Sequence, residues 1–212
     1  TSRVAIVELA TGVTNWVDQS SNANNATQTT DANAPLFVDN AINGKPAVRF
    51  AGSPQELIVA HSGSLAITDP DIASFAVVKF NPGARRYIWG KNVGEQLIAF
   101  GLESGGRNDR VRLRRIGTFG IMDTDVVIRT NQYLVLGFQQ AGAEVSFYRS
   151  DQVFATHVND DVVFDTGLEL KVGNGAGFMV GDIAELLIYG AALSEADRLA
   201  VTSYLEEKYG IT

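Results

Sequence analysis

The chain has 212 residues, of which 45% are hydrophobic and 19% charged, and carries a net charge of −7. This composition builds a packed core and excludes a disordered chain, and the acidic balance excludes nucleic-acid binding through a general basic footprint. The absence of cysteine excludes disulfides, thiolate metal sites and thiol nucleophiles, and no apolar run of 18 residues is present to insert into a membrane.

Short strands are predicted over Arg3–Leu9, Ala47–Phe50, Ser74–Phe80, Glu95–Leu102, Arg110–Ile116, Gln132–Gln140, Glu144–Arg149, Leu168–Gly173 and Asp182–Tyr189. Most are bounded by Gly, Asn, Asp or Pro. Between the first two lies the polar stretch Asp18–Asn33, with three Asn at positions 22 to 25 and no apolar periodicity. It reads as a long ordered loop tied by Asx turns. Twenty-one glycines against five prolines suit the many tight turns of an all-β chain. One helix is predicted from Glu195 to Lys208, with Ser194 as N-cap, Asp197 placed to reach back to it, and Gly210 as the stop. Its apolar positions Leu199, Val201 and Leu205 are set to pack on a sandwich edge. Regular short strands separated by turns favour a sandwich over strand–helix alternation. No repeat, low-complexity tract or linker divides the chain, so one domain over residues 1–212 is the simplest account. The start Thr1-Ser-Arg-Val-Ala-Ile6 lacks the regions of a signal peptide.

Two segments near the ends carry a resemblance. Trp16-Val-Asp18-Gln-Ser20-Ser-Asn22-Ala-Asn24-Asn-Ala26 leads to Asn43-Gly-Lys-Pro-Ala-Val48-Arg-Phe50-Ala-Gly52. At the other end, Gly181-Asp-Ile-Ala-Glu-Leu-Leu-Ile-Tyr189 is followed by Ala192-Leu-Ser-Glu-Ala196. Together these resemble the laminin-G-like domains of the concanavalin A-like lectin and glucanase superfamily, over about residues 4 to 211. The resemblance implies an all-β jelly-roll sandwich of two antiparallel sheets with one short C-terminal helix. The usual glycine pair between Ser and Asn of the first segment is replaced here by Ser21 and Ala23. Trp16 sits in that segment and reads as core.

Glucanases of this superfamily require two carboxylates facing one cleft, about 5–5.5 Å apart for a retaining mechanism. Asp182 and Glu185 are the nearest pair, but i, i+3 spacing on a regular strand puts them on opposite faces. His61 and His157 lie in no glutamine-x-histidine pattern, and no Gly-x-Ser-x-Gly elbow is present. No catalytic residue is therefore assigned. Calcium is the metal that jelly-roll domains of this kind hold with loop carboxylates. Asp18, Asp123, Asp125, Asp160, Asp161 and Asp182 are the candidate ligands. None forms an EF-hand loop, and Asp18 and Asp182 are taken forward as the metal positions. For Asp18, the alternative role is to fix its loop by hydrogen bonds.

The charge is unevenly spread. Residues 79–129 hold ten Lys and Arg against five Asp and Glu, a net +5 that leaves −12 for the remainder. Within this window Arg110-Val-Arg112-Leu-Arg114 alternates, which on a strand puts three guanidinium groups on one face. Such forks hold carboxylate or sulfate groups bidentately. Nearby, Arg86 would add a cation and Tyr87 an aromatic platform, while Trp89, followed by Gly90, reads as either platform or core. These six residues, Arg86, Tyr87, Trp89, Arg110, Arg112 and Arg114, form the expected ligand site. The competing reading is a solvated strand whose arginines pair with Glu103, Asp109 and other acids. The functional expectation is a non-catalytic carbohydrate-binding module for acidic glycans, extracellular or on a cell or virion surface and part of a larger assembly. The alternative is a structural or adhesive module that binds protein neighbours.

Overall fold

The computed structural model describes residues 6–9, 12–66, 71–83, 85–93, 96–103, 110–116, 121–158, 167–175 and 177–211. In chain order the strands are β1 (Ile6–Leu9), β2 (Gly12–Trp16), β3 (Ala26–Thr27), β4 (Leu36–Ile42), β5 (Lys45–Ala51), β6 (Leu57–Val59), β7 (Ile72–Phe80) and β8 (Arg86–Val93). They continue with β9 (Gln96–Glu103), β10 (Arg110–Ile116), β11 (Ile121–Val127), β12 (Tyr133–Ala141), β13 (Glu144–Arg149), β14 (Gln152–Val158), β15 (Leu170–Val172) and β16 (Val180–Tyr189). One helix, α1 (Glu195–Tyr209), follows.

All pairings among the described residues are antiparallel. Sheet A runs β1-β2-β3-β6-β15-β8-β9-β10-β11, and sheet B runs β14-β13-β12-β7-β16-β5-β4. The two pack face to face as a jelly-roll sandwich. Side chains from both inner faces, among them Leu57, Val78, Phe80, Trp89, Phe100, Leu113, Phe138, Phe147 and Ile183, form the main core. Strand β7 shows why its sequence lacks clean hydrophobic alternation. Ile72, Ala76, Val78 and Phe80 enter the inter-sheet core. Ala73, Phe75 and Val77 enter a second core on the outer side of sheet B, so both faces are apolar.

That second core is closed by α1. Leu205 and Tyr209 are buried in it, and Val201 packs against it. Fully burying a leucine contributes about 2 kcal/mol. The expected caps are present. The Ser194 hydroxyl accepts from the Asp197 amide and donates to the Asp197 carboxylate, and Gly210 takes the left-handed conformation with its amide on the Glu206 carbonyl. Leu199, expected to pack, stays exposed. The Asn43 side chain, in the β4–β5 turn, donates to the carbonyls of Tyr209 and Gly210 and ties the helix end down. No described helix is long and apolar enough to cross a membrane.

The Asx-turn expectation for the early loop also holds. One Asp18 carboxylate oxygen accepts from the Ser20 amide at 2.8 Å, and the other from the Ser20 hydroxyl at 2.7 Å and the Asn24 amide at 2.8 Å. Ala23 takes φ 54°, a conformation open to glycine and strained for alanine.

Candidate functional site

The six expected ligand residues do not form one surface, because a bulge breaks the period of β8. Tyr87 pairs with Gly101 and Trp89 with Phe100, leaving Ile88 as the extra residue. Ile88 and Trp89 both point into the inter-sheet core. Trp89 is fully buried, donates its indole N–H to Ser74 Oγ at 2.9 Å and stacks on Phe138 with ring centroids 6.3 Å apart. It is a core residue and not a platform. Arg86 is also buried on the core side, opposite Leu102 of β9. Its guanidinium lies 6.0 Å from the Phe80 ring and donates to the Asn81 carbonyl. It therefore closes one end of the core and offers nothing to a ligand.

Tyr87 does point outward, in register with Gly101 of β9 and Arg112 of β10. It is nevertheless fully buried. Gly175 lies on the outer face of β8 and β9. A Cβ at Gly175 would stand 2.7 Å from Ala99 Cβ and 2.9 Å from Tyr87 Cβ, and one at Gly90 would stand 2.7 Å from the Gly175 Cα. Only glycine allows this approach. Asn174, next to it, donates to Glu56 Oε2 at 2.6 Å. Arg86, Tyr87 and Trp89 are thus corrected from ligand contacts to structural residues.

The arginine strand keeps the expected geometry. Val111 and Leu113 are buried in the inter-sheet core, which leaves Arg110, Arg112 and Arg114 on the outer face of sheet A. Opposite them on β9 stand Glu103, Gly101 and Ala99. Arg110 donates to Asp125 of β11 at 2.5 Å, an almost fully exposed partner, so the pair contributes little to stability. Arg112 is largely buried in the middle of the row. Arg114 is half-buried and makes no hydrogen bond or ion pair among the described residues; its Nε is buried without a partner. A buried donor left unsatisfied costs on the order of 1–3 kcal/mol, which an anionic acceptor would recover. The pairing expected with Asp109, and with the Glu103 side chain, lies outside the described residues.

The two proposed metal positions do not fit calcium. Asp18 lies in the β2–β3 loop of sheet A, with its carboxylate occupied by Ser20 and Asn24. Burial raises its pKa, but these hydrogen bonds outweigh burial and hold it below the usual value. Asp182 lies on the outer face of sheet B and is fully buried. It accepts from Arg49 Nε at 2.7 Å, Arg49 Nη2 at 2.9 Å and the Tyr133 hydroxyl at 2.6 Å, with Lys79 Nζ at 2.6 Å. Burial alone would raise its pKa. The bonds from Arg49, Lys79 and Tyr133 instead bring it to about 2. With two cations already on it, this carboxylate is no seat for a dication. No three described His, Asp or Glu residues converge on a metal position. Asp160 and Asp161, and the Asp123 side chain, lie outside the described residues.

Asp182 and Glu185 share a face after all. A second bulge, between Ile183 and Glu185, sets Asp182 opposite Lys79 and Glu185 opposite Val77, both outward from sheet B. They still form no acid–nucleophile pair. Glu185 is held by Tyr204 Oη at 3.0 Å and Lys208 Nζ at 2.9 Å of α1, while Asp182 is neutralised by Arg49 and Lys79. His61 is exposed, and His157 packs edge-on against Phe147 with centroids 5.8 Å apart.

No protein-family model matches this sequence, and no curated protein sequence matches it. Solved structures do share its fold. Domain 4 of AbnA, an extracellular GH43 arabinanase from Geobacillus stearothermophilus solved with arabinotriose, superposes with a TM-score of 0.62 at 17% identity, covering 82% of this chain and 84% of that one. The CBM40 of the Ruminococcus gnavus IT-sialidase, bound to α2,3-sialyllactose, gives 0.54 at 16% identity over 74% of this chain and 96% of that one. The binding domain of botulinum neurotoxin serotype G gives 0.63 at 10% identity. The match covers 90% of this chain but only 48% of the toxin domain, about half its length. At these identities the likeness is one of fold.

Proposed function

We propose that this chain is a non-catalytic carbohydrate-recognition module of the laminin-G-like kind, which takes acidic glycans on the outer face of sheet A and acts in a larger extracellular or surface assembly. The observation that carries the reading is the row Arg110, Arg112 and Arg114, in which Arg114 has no partner among the described residues. A carboxylate or sulfate would meet the Arg114 fork bidentately, at the end of a row in which Arg112 is largely buried and Arg110 holds Asp125. The arabinotriose- and sialyllactose-bound neighbours support the reading by showing that this fold presents surfaces to sugars.

The test is a glycan array with calcium and with chelator, followed by titration of Arg114→Ala and Arg114→Lys. Acidic or sulfated glycans are expected to bind, more weakly as salt rises. Removing a charge-assisted fork worth about 1.5–3 kcal/mol should weaken binding by about 10- to 100-fold. Lysine should restore part of it. Binding of Arg114→Ala equal to that of the parent chain would overturn the site. A calcium requirement would have to rest on residues other than Asp18 and Asp182.

A further inference from the structure

The chain holds two Asn-Gly pairs, Asn43-Gly44 and Asn174-Gly175. Asparagine before glycine is prone to deamidation, because a residue without a Cβ lets its own amide nitrogen approach the preceding side-chain carbonyl. The fold treats the two pairs differently. Gly175 is buried against Ala99 and Tyr87, and the Asn174 amide is taken up by Glu56. Asn43 and Gly44 are exposed, and no atom lies within 4 Å of where a Gly44 Cβ would stand. They form the two-residue loop between the paired Ile42 and Lys45, at φ 47° and 76°, as a type I′ hairpin turn requires.

Both reactive groups of this exposed turn are held. The Gly44 amide donates to Asn40 Oδ1 at 2.9 Å. Asn43 Nδ2 donates to the Tyr209 carbonyl at 2.5 Å and the Gly210 carbonyl at 3.3 Å. These acceptors stand at the C-terminus of α1, where carbonyls lack helical partners and the dipole is negative.

We infer that Asn43 is a deamidation site, and that its conversion irreversibly unfastens the end of α1. When the helix end frays, the Asn43 side chain is released. The Gly44 nitrogen then attacks Asn43 Cγ, and the new N–Cγ bond closes a succinimide ring. The Cγ–Nδ2 bond breaks, and ammonia leaves with the proton that Gly44 gave up. Water opens the ring to an aspartyl or an isoaspartyl residue, so the only co-reactant is solvent. Either product puts a carboxylate where the amide donor stood. An ionised carboxylate only accepts, and here it faces two carbonyls at the negative end of a helix. The isoaspartyl form also adds a carbon to the backbone of the turn. Fraying thus permits the reaction and the product opposes redocking, which weakens the cover that Leu205 and Tyr209 give to the outer side of sheet B.

Peptide mapping by mass spectrometry, on the intact chain held in mildly alkaline buffer, reads the reaction. Asn43 should convert about tenfold or more faster than Asn174, because opening a frayed helix end is easier than opening a buried segment. In urea the two should convert at similar rates, since only the fold separates them. Hydrogen exchange reads the consequence. At pH 7 the last turns of α1 should exchange about tenfold faster in the aged chain, and in Asn43→Asp, than in the fresh parent. Asn43→Gly keeps the left-handed turn and removes the donor without adding charge, so it should fall between them. Below about pH 4 the new carboxyl is protonated and the gap between Asn43→Asp and Asn43→Gly should close. The aged chain carries the test if Asn43→Asp does not fold. Conversion at Asn43 no faster than at Asn174 in the folded chain, or exchange in α1 unchanged once Asn43 has converted, would overturn the inference.

Discussion

Replacing Asp182 by asparagine probes the charge row that crosses sheet B. The row joins Arg49 of β5, Asp182 of β16, Lys79 of β7 and Tyr133 of β12, each in register with the next. A carboxyl held at about 2 in the folded chain and at 3.8 when unfolded contributes about 2.5 kcal/mol of stability at neutral pH. Its folded pKa is depressed, so this contribution is complete above pH 3.8 and is lost as pH falls through 2. Asparagine preserves the shape but leaves Arg49 and Lys79 facing a neutral amide. Both cations are partly open to water, which moderates the penalty for breaking a buried pair. The expected loss at pH 7 is about 3 kcal/mol, or a Tm about 6–12 °C lower. Urea unfolding of Asp182→Asn and the parent chain from pH 7 to pH 2 measures it. The gap should stay constant down to pH 3.8 and close towards pH 2. A gap below about 1 kcal/mol at pH 7, or one undiminished at pH 2, would refute the reasoning.

Other substitutions test the remaining supports. Ala23→Gly should raise stability by about 0.5–1 kcal/mol in urea unfolding, since it relieves a left-handed alanine; an unchanged midpoint would show that the loop holds no strain. Gly175→Ala should lower stability by about 1–3 kcal/mol, because its methyl would meet Ala99 and Tyr87 below 3 Å; a neutral effect would mean that the backbone at Gly175 shifts freely. Leu205→Ala should lower stability by about 2–5 kcal/mol in the same assay, while Leu199→Ala on the exposed side of α1 should change it by under about 0.5 kcal/mol. Equal effects at the two positions would place the helix face wrongly.

The strands that were legible are those whose residues obey a two-residue period or form an apolar run. Arg110–Ile116 and Glu144–Arg149 have the bounds expected of them, and the N-cap and stop of α1 were readable from Ser194, Asp197 and Gly210. Strands β2, β3, β4, β6, β8, β11 and β14 were missed because they are short, polar or interrupted. Leu36–Ile42, for instance, is broken by Asp39-Asn40. Two of the errors, the facing of Trp89 and that of Glu185 relative to Asp182, share one physical cause. A single bulge residue, Ile88 or Ala184, reverses the facing of everything beyond it, and neither carries a compositional mark. The burial of Tyr87 arose differently. A sequence shows Gly173, Gly175 and Gly177 as turn formers; only the fold shows that they let one backbone lie on another.

The bond from the Asn43 side chain to the Tyr209 carbonyl joins residues 166 apart in sequence. During synthesis at about 5–20 residues per second, roughly ten to thirty seconds separate the making of its two ends. From their own synthesis until its close, Phe75 and Val77 lack the cover of Leu205 and Tyr209 on the outer side of sheet B. Folding of this face is thus deferred until residues 195–209 have been made, and until then a nascent chain carries an oily sheet.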